Sequence, residues 1–132
     1  MQFVDTNIFM YAVGADHPYK VPSLRFFETV AQGKGEIAIS AEVLQEILYR
    51  FWAIRRMDEG FQLFDYAQSL CHWVLPVTQE EVQKAKELMV GIPKISPRDA
   101  IHVATMKKNR ISTIISYDQG FDCVKEIKRI EP

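Results

Sequence analysis

Asp5 ends a short apolar run, QFVD, and a second apolar run follows after Thr-Asn. Three further acids stand at comparable punctuation points: Glu46 in SAEVLQEILYRF, Asp99 in SPRDAIHVATMKKN and Asp118 in IISYDQGFD. Carboxylates brought together repel, by roughly 4 kcal/mol for two unit charges about 4 Å apart at an effective dielectric of about 20. Such a group either takes up protons or holds a cation. All-oxygen ligands suit Mg2+ or Mn2+, with waters completing the octahedron. These acids could therefore form a divalent metal centre, provided the fold brings them to one place.

The surrounding sequence predicts elements that do so. QFV reads as a strand and TNIFMYAVG as a short helix ending near Gly14. DHPYKVP reads as a turn punctuated by Pro18 and Pro22, SLRFFETVAQG as a helix, and EIAIS as a second strand. Ser40 is the predicted N-cap of a helix in which Val43, Leu44, Ile47, Leu48, Phe51 and Trp52 recur at helical spacing. DEGFQLFDYAQSLCH reads as a further helix and WVLPV as a third strand. Thr78 and Glu81 form a capping box that opens TQEEVQKAKELMV. Ser96 followed by Pro97 opens the next helix. STIIS is a fourth strand, YDQGFD a turn or short helix, and KEIKRIE an edge strand. Short apolar strands alternating with helices predict one α/β domain over residues 1–132, with a mainly parallel sheet covered on both faces.

Ligands of an open parallel sheet bind beyond the carboxyl ends of its strands. Asp5 directly follows the first strand, and Asp118 follows the fourth by two residues. Asp99 lies in the first turn of a helix that runs antiparallel to the strand it feeds, so that helix also starts at the carboxyl edge. Glu46 is fewer than two turns into the helix after the second strand. Each acid also has a purely structural reading. Asp5 would be a helix cap, Asp99 part of a local S-x-x-D helix start, Glu46 an exposed partner of Arg50 four residues on, and Asp118 a turn residue. Their shared position at one edge is what favours a metal site.

Composition limits the remaining possibilities. With 48% hydrophobic and 25% charged residues, the chain has the make-up of a soluble globular protein. Its 16 Lys and Arg against 17 Asp and Glu exclude nucleic-acid binding through a global positive field. A nucleic-acid partner would be held by local patches or through metal ions. No apolar stretch is long enough to span a membrane, and no export signal opens the chain. Cys71 and Cys123 lack His or Cys neighbours at metal-ligand spacing and are expected to be reduced. A cytoplasmic protein is the expectation.

In order along the chain, VDTNIFMYA, SAEVLQEILYRF, SPRDAIHVATMKKN and IISYDQGFD resemble the motifs of PIN-domain ribonucleases. In size and pattern the chain is most similar to the VapC-type toxins of toxin–antitoxin pairs. The resemblance covers nearly the whole chain and rests on the ordered set, since D-T-N alone would arise by chance. It implies a three-layer α/β/α sandwich and metal-dependent endonucleolytic cleavage of RNA, with Mg2+ or Mn2+ as cofactor. Carried over, it puts the catalytic, metal-binding acids at Asp5, Glu46, Asp99 and Asp118, with Asp122 a further candidate ligand. Asn7 and Ser116 match polar positions that orient carboxylates or water. Glu46 is preferred to Glu42 because VLQEIL sets the acid between apolar pairs; periodicity alone does not choose. Arg98, adjacent to Asp99, is the first candidate to touch an RNA phosphate. His102, one turn further on, is a candidate to touch substrate or a carboxylate. The resemblance also implies a homodimer and an antitoxin that covers the acidic groove, with the aromatic-rich hairpin LYRFWAIRRMDEGFQLFDYA as the expected contact.

Other small α/β folds fit less well. A phosphoacceptor receiver module needs an Asp at the end of the third strand, which WVLPV lacks. A haloacid-dehalogenase phosphatase needs D-x-D where this chain has D-T-N. The alternative that survives is a PIN fold without catalysis, acting as an RNA- or protein-binding module.

Overall fold

The structure is a computed structural model describing residues 1–132. The chain runs through β1 (Gln2–Val4), α1 (Thr6–Val13), α2 (Lys20–Ala31), β2 (Ile37–Ser40), α3 (Ala41–Ala53) and α4 (Met57–Leu70). It continues through β3 (Trp73–Leu75), α5 (Gln79–Gly91), α6 (Pro97–Lys108), β4 (Thr113–Ile115), a 3-10 helix (Gln119–Cys123) and β5 (Lys128–Ile130). The strands form one parallel sheet in the order β3-β2-β1-β4-β5. Phe3 of β1 lies opposite Ala38 on one side and Ile114 on the other.

Right-handed crossovers explain the layers. From β1 through β2 to β3 the chain steps one way across the sheet, which puts α1 to α4 on one face. The return from β3 to β4 carries α5 and α6 over the opposite face. The central strands are sealed on both sides: Phe3, Val4, Ile37, Ile39, Ile114 and Ile115 are all buried. This is the three-layer α/β/α sandwich. The strand order reverses between β1 and β4, which opens a crevice at their carboxyl ends.

Three local differences from the sequence reading have physical causes. Helix α2 starts at Lys20 and takes Pro22 into its first turn, where amides lack an intrahelical acceptor and the missing N–H is harmless. Trp52 is 66% exposed while Phe51 is buried, so the apolar stripe of α3 is narrower than its periodicity suggests. Phe51 instead packs on α4 at Gly60, where an added Cβ would lie 2.6 Å from the Phe51 Cβ. Asp122, a candidate ligand from the sequence, has both oxygens bound by Arg129 of β5, at 2.8 and 3.2 Å. No helix is long and apolar enough to cross a membrane.

Candidate metal centre

Asp5 occupies the N-cap position of α1 with extended backbone, yet its side chain caps nothing. Instead Oδ2 accepts a hydrogen bond of 2.5 Å from Ser116 Oγ, just past β4. Ser116 Oγ in turn accepts from Asn7 Nδ2 at 3.1 Å and from the Asp118 N–H at 2.9 Å. Its one proton and both lone pairs are thus used, which leaves the hydroxyl a single orientation. Pairing of β1 with β4 brings these residues together across the switch point.

Glu46 is buried, which corrects the reading of an exposed i,i+4 pair. Arg50 Nε reaches its Oε1 at 3.1 Å, as that reading expects, but Arg98 from α6 reaches the same oxygen at 3.2 Å. Arg98 also bridges to Glu42 at 3.3 Å and lies over the Tyr49 ring, so it closes the crevice from the side. With both guanidinium groups on Oε1, Oε2 stays available to a ligand. A carboxylate oxygen of Asp5, one of Glu46 and a ring nitrogen of His102 all lie within 4.8 Å of one another. His102 is fully buried, and burial pushes its pKa down to about 4, so the imidazole is neutral.

Asp99 and Asp118 stand further out at the same edge, near enough that, together with burial, Asp118 raises the Asp99 pKa and Asp99 that of Asp5. Asp99 lies in the first turn of α6, its N–H donating to the Ser96 cap at 3.2 Å. Asp118 is exposed and accepts the Gly120 N–H at 2.8 Å, which starts the 3-10 helix. Gly120 fits tightly between them: a Cβ there would lie 3.0 Å from Asp118 Oδ1 and 3.6 Å from Asp99 Oδ2.

The four acids therefore share one edge, and the protonation equilibria register it. Burial is the main cause that raises Asp5 to about 7; repulsion from Asp99 and Glu46 adds to it, and the Ser116 hydrogen bond opposes it. Asp99 is raised to about 6 by burial first and then by Asp118, with Glu46 adding and Ser96 and Arg98 opposing. The donor set fits a divalent cation: oxygen atoms that repel one another, a free Glu46 oxygen, and a His102 Nε2 that is buried without a hydrogen-bond partner. The sequence reading did not place His102 against both Asp5 and Glu46, nor both arginines on Glu46. The first was signalled by the i,i+3 spacing of Asp99 and His102, which puts them on one face of α6.

A parallel sheet with a carboxylate-lined crevice at its switch point defines a class of metal-centre α/β proteins. The PIN domain model matches residues 3–127, and the chain belongs to the PIN-domain family. Ribonuclease VapC13 of Mycobacterium tuberculosis is 38% identical over 130 residues, spanning 98% of this chain and 99% of that one. Ribonuclease VapC23 of the same organism is 32% identical over 118 residues, or 89% and 93% of the two chains. Among solved structures, M. tuberculosis VapC20, described as a Sarcin-Ricin loop cleaving toxin, superposes with a TM-score of 0.73 and 21% identity over 100% of both chains. VapBC2 from Rickettsia felis, bound to a promoter DNA fragment, gives 0.76 at 17% identity over 98% and 97%. At such identities these two structures speak for the fold.

Proposed function

We propose that the chain is a divalent-metal-dependent endoribonuclease, the toxin of a toxin–antitoxin pair, with Asp5, Glu46, Asp99 and Asp118 holding Mg2+ or Mn2+. One observation carries the proposal: Asp5 stands at a helix cap it does not serve, buried, turned to the crevice and without an ion pair in the chain. Full-length similarity to proteins named VapC ribonucleases supports the choice of RNA.

A cation held there would lower the pKa of a water and would neutralise charge on a non-bridging phosphodiester oxygen. The chain's own residues do the rest. Ser116 fixes the Asp5 carboxylate, and Asn7 fixes Ser116. Glu46 is held by Arg50 and Arg98 so that one oxygen faces inward. Asp99 and Asp118, at the solvent edge, are placed to orient the attacking water. Arg98 at the rim can pass from Glu42 to an incoming phosphate. The solved VapBC assemblies support a cognate antitoxin as partner. We assign it to the α3–α4 face, where Tyr49, Trp52, Ile54 and Phe61 are exposed, and infer a homodimer working in the cytoplasm.

The test is cleavage of total RNA with Mg2+, with Mn2+ and with EDTA, comparing wild type with Asp5→Asn and Asp99→Asn. Discrete products that need metal and vanish in both variants are expected. A fold that binds metal or RNA but cuts nothing under any condition would instead make it a non-catalytic binding module.

A further inference from the structure

His102 is the one buried imidazole at the crevice, and the four-acid reading leaves it without a task. Its ring packs on Phe3, with centroids 5.3 Å apart. Nδ1 lies 3.4 Å from Ser40 Oγ, whereas Nε2 has no hydrogen-bond partner. The other two histidines are accounted for: Nδ1 of His72 accepts the Ile37 N–H and Nδ1 of His17 accepts the Tyr19 N–H.

The Nδ1–H tautomer is the one that leaves Nε2 a lone pair for a cation. Ser40 Oγ already accepts the Val43 N–H as helix cap and has a second lone pair for an Nδ1–H. Nε2 makes no hydrogen bond to either carboxylate. In the Nδ1–H form Nε2 keeps a bare lone pair, and a ring nitrogen of His102 lies within 4.8 Å of electron-rich oxygens of Asp5 and Glu46. Lone pairs of a nitrogen and two carboxylates converge stably on a cation, or on a proton that one of the acids takes up. Their spread, within 4.8 Å, is slightly wider than the separation of about 3 to 4.2 Å that bonds of about 2.1 Å set between ligands of one octahedral ion, so a bound ion would draw the donors in by a few tenths of an ångström or more.

We propose that His102 Nε2 is a nitrogen ligand of the divalent cation held by Asp5 and Glu46, and that it biases the centre toward Mn2+ over Mg2+. The proposal rests on the metal-centre reading given under Proposed function and deepens it. An all-oxygen site has little reason to tell the two ions apart beyond size. An imidazole favours transition metals, whereas Mg2+ keeps to carboxylate and water.

The experiment is pulsed electron paramagnetic resonance on the full-length protein loaded with Mn2+. A directly bonded imidazole imprints 14N modulation on the Mn2+ echo, and growth on 15N-histidine should replace it with the 15N pattern. This needs no variant and so no assumption about refolding. His102→Gln should abolish the modulation and weaken Mn2+ binding tenfold or more, leaving Mg2+ within about threefold. Mn2+ bound in an Asp5-dependent manner without nitrogen coupling would overturn the His102 assignment and leave the acidic centre intact. No Mn2+ or Mg2+ binding by wild type would overturn both.

Discussion

Two buried carboxylates in this molecule have opposite environments. Glu81 is 1% exposed, yet its charge is fully met from within the chain. The Thr78 N–H and hydroxyl donate to Oε2 at 2.5 and 2.6 Å, and Lys108 Nζ donates to Oε1 at 2.5 Å. Its pKa is held down to about 2, chiefly by Lys108 and then by Thr78. Asp5 is as well hidden, but has one hydroxyl partner, no cation, and two acids nearby that help push it up to about 7. Burial alone therefore does not mark a functional acid. What separates the two is whether the chain supplies the counter-charge, and at Asp5 it does not.

Removing each charge separates the two most sharply. Asp5→Asn should cut RNA cleavage about 1,000-fold and abolish divalent binding in calorimetry, while raising the metal-free melting temperature at pH 7.5. Glu81→Gln should do the reverse, lowering the melting temperature and leaving cleavage per folded molecule unchanged. If Asp5→Asn destabilised the metal-free protein, the contrast would collapse and Asp5 would be a structural acid.

The pH dependence of stability should carry both signs. Asp5 binds its proton more tightly folded than unfolded, so its contribution falls as pH rises from about 4, the ordinary carboxyl range, to the folded value of about 7. The loss is at most about 4 kcal/mol, and saturating Mg2+ at pH 7.5 should recover it. Glu81 is the opposite case: its contribution is full above the ordinary Glu range and disappears as pH falls toward 2. Chemical denaturation at a series of pH values, with and without Mg2+, reads both slopes.

Smaller effects map the supports. Ser116→Ala frees the Asp5 carboxylate from its fixed orientation and should weaken cation affinity about 10- to 100-fold with little change in fold by circular dichroism. Gly120→Ala places a methyl group 3.0 Å from Asp118 Oδ1 and should cost a few-fold in cleavage rate, chiefly through displacement of Asp118. An unchanged rate would remove Asp118 from the working set.

Much of this architecture is legible in the sequence because it is local. The Ser40 and Ser96 caps and the Thr78–Glu81 box form as their motifs predict. Alternating strands and helices, with right-handed crossovers, lead to the sheet edge where the four acids stand. What is not legible depends on long-range packing. Glu46 flanks the apolar stripe of α3 and reads as exposed, but Arg98, from α6, folds over it. Asp122 shares a turn with Asp118, yet β5 brings Arg129 against it. Trp52 has the right period for the core but lies beyond the edge of the surface that α3 buries. Two of the three involve an arginine from another element: Arg98 is far from Glu46 in sequence, and Arg129, though only seven residues from Asp122, reaches it through the pairing of β5.

The hydrogen bond between Ser116 and Asp5 spans 111 residues of chain. A ribosome adding about 5 to 20 residues per second needs roughly 6 to 22 seconds to make that stretch. During synthesis Asp5 is made first and waits, while β4 and the Ser116 that orients it follow 111 residues later. The site is thus a late product of translation relative to its first residue, completed only when β4 has been made. Until Ser116 is made, the Asp5 carboxylate lacks the hydroxyl that fixes its orientation.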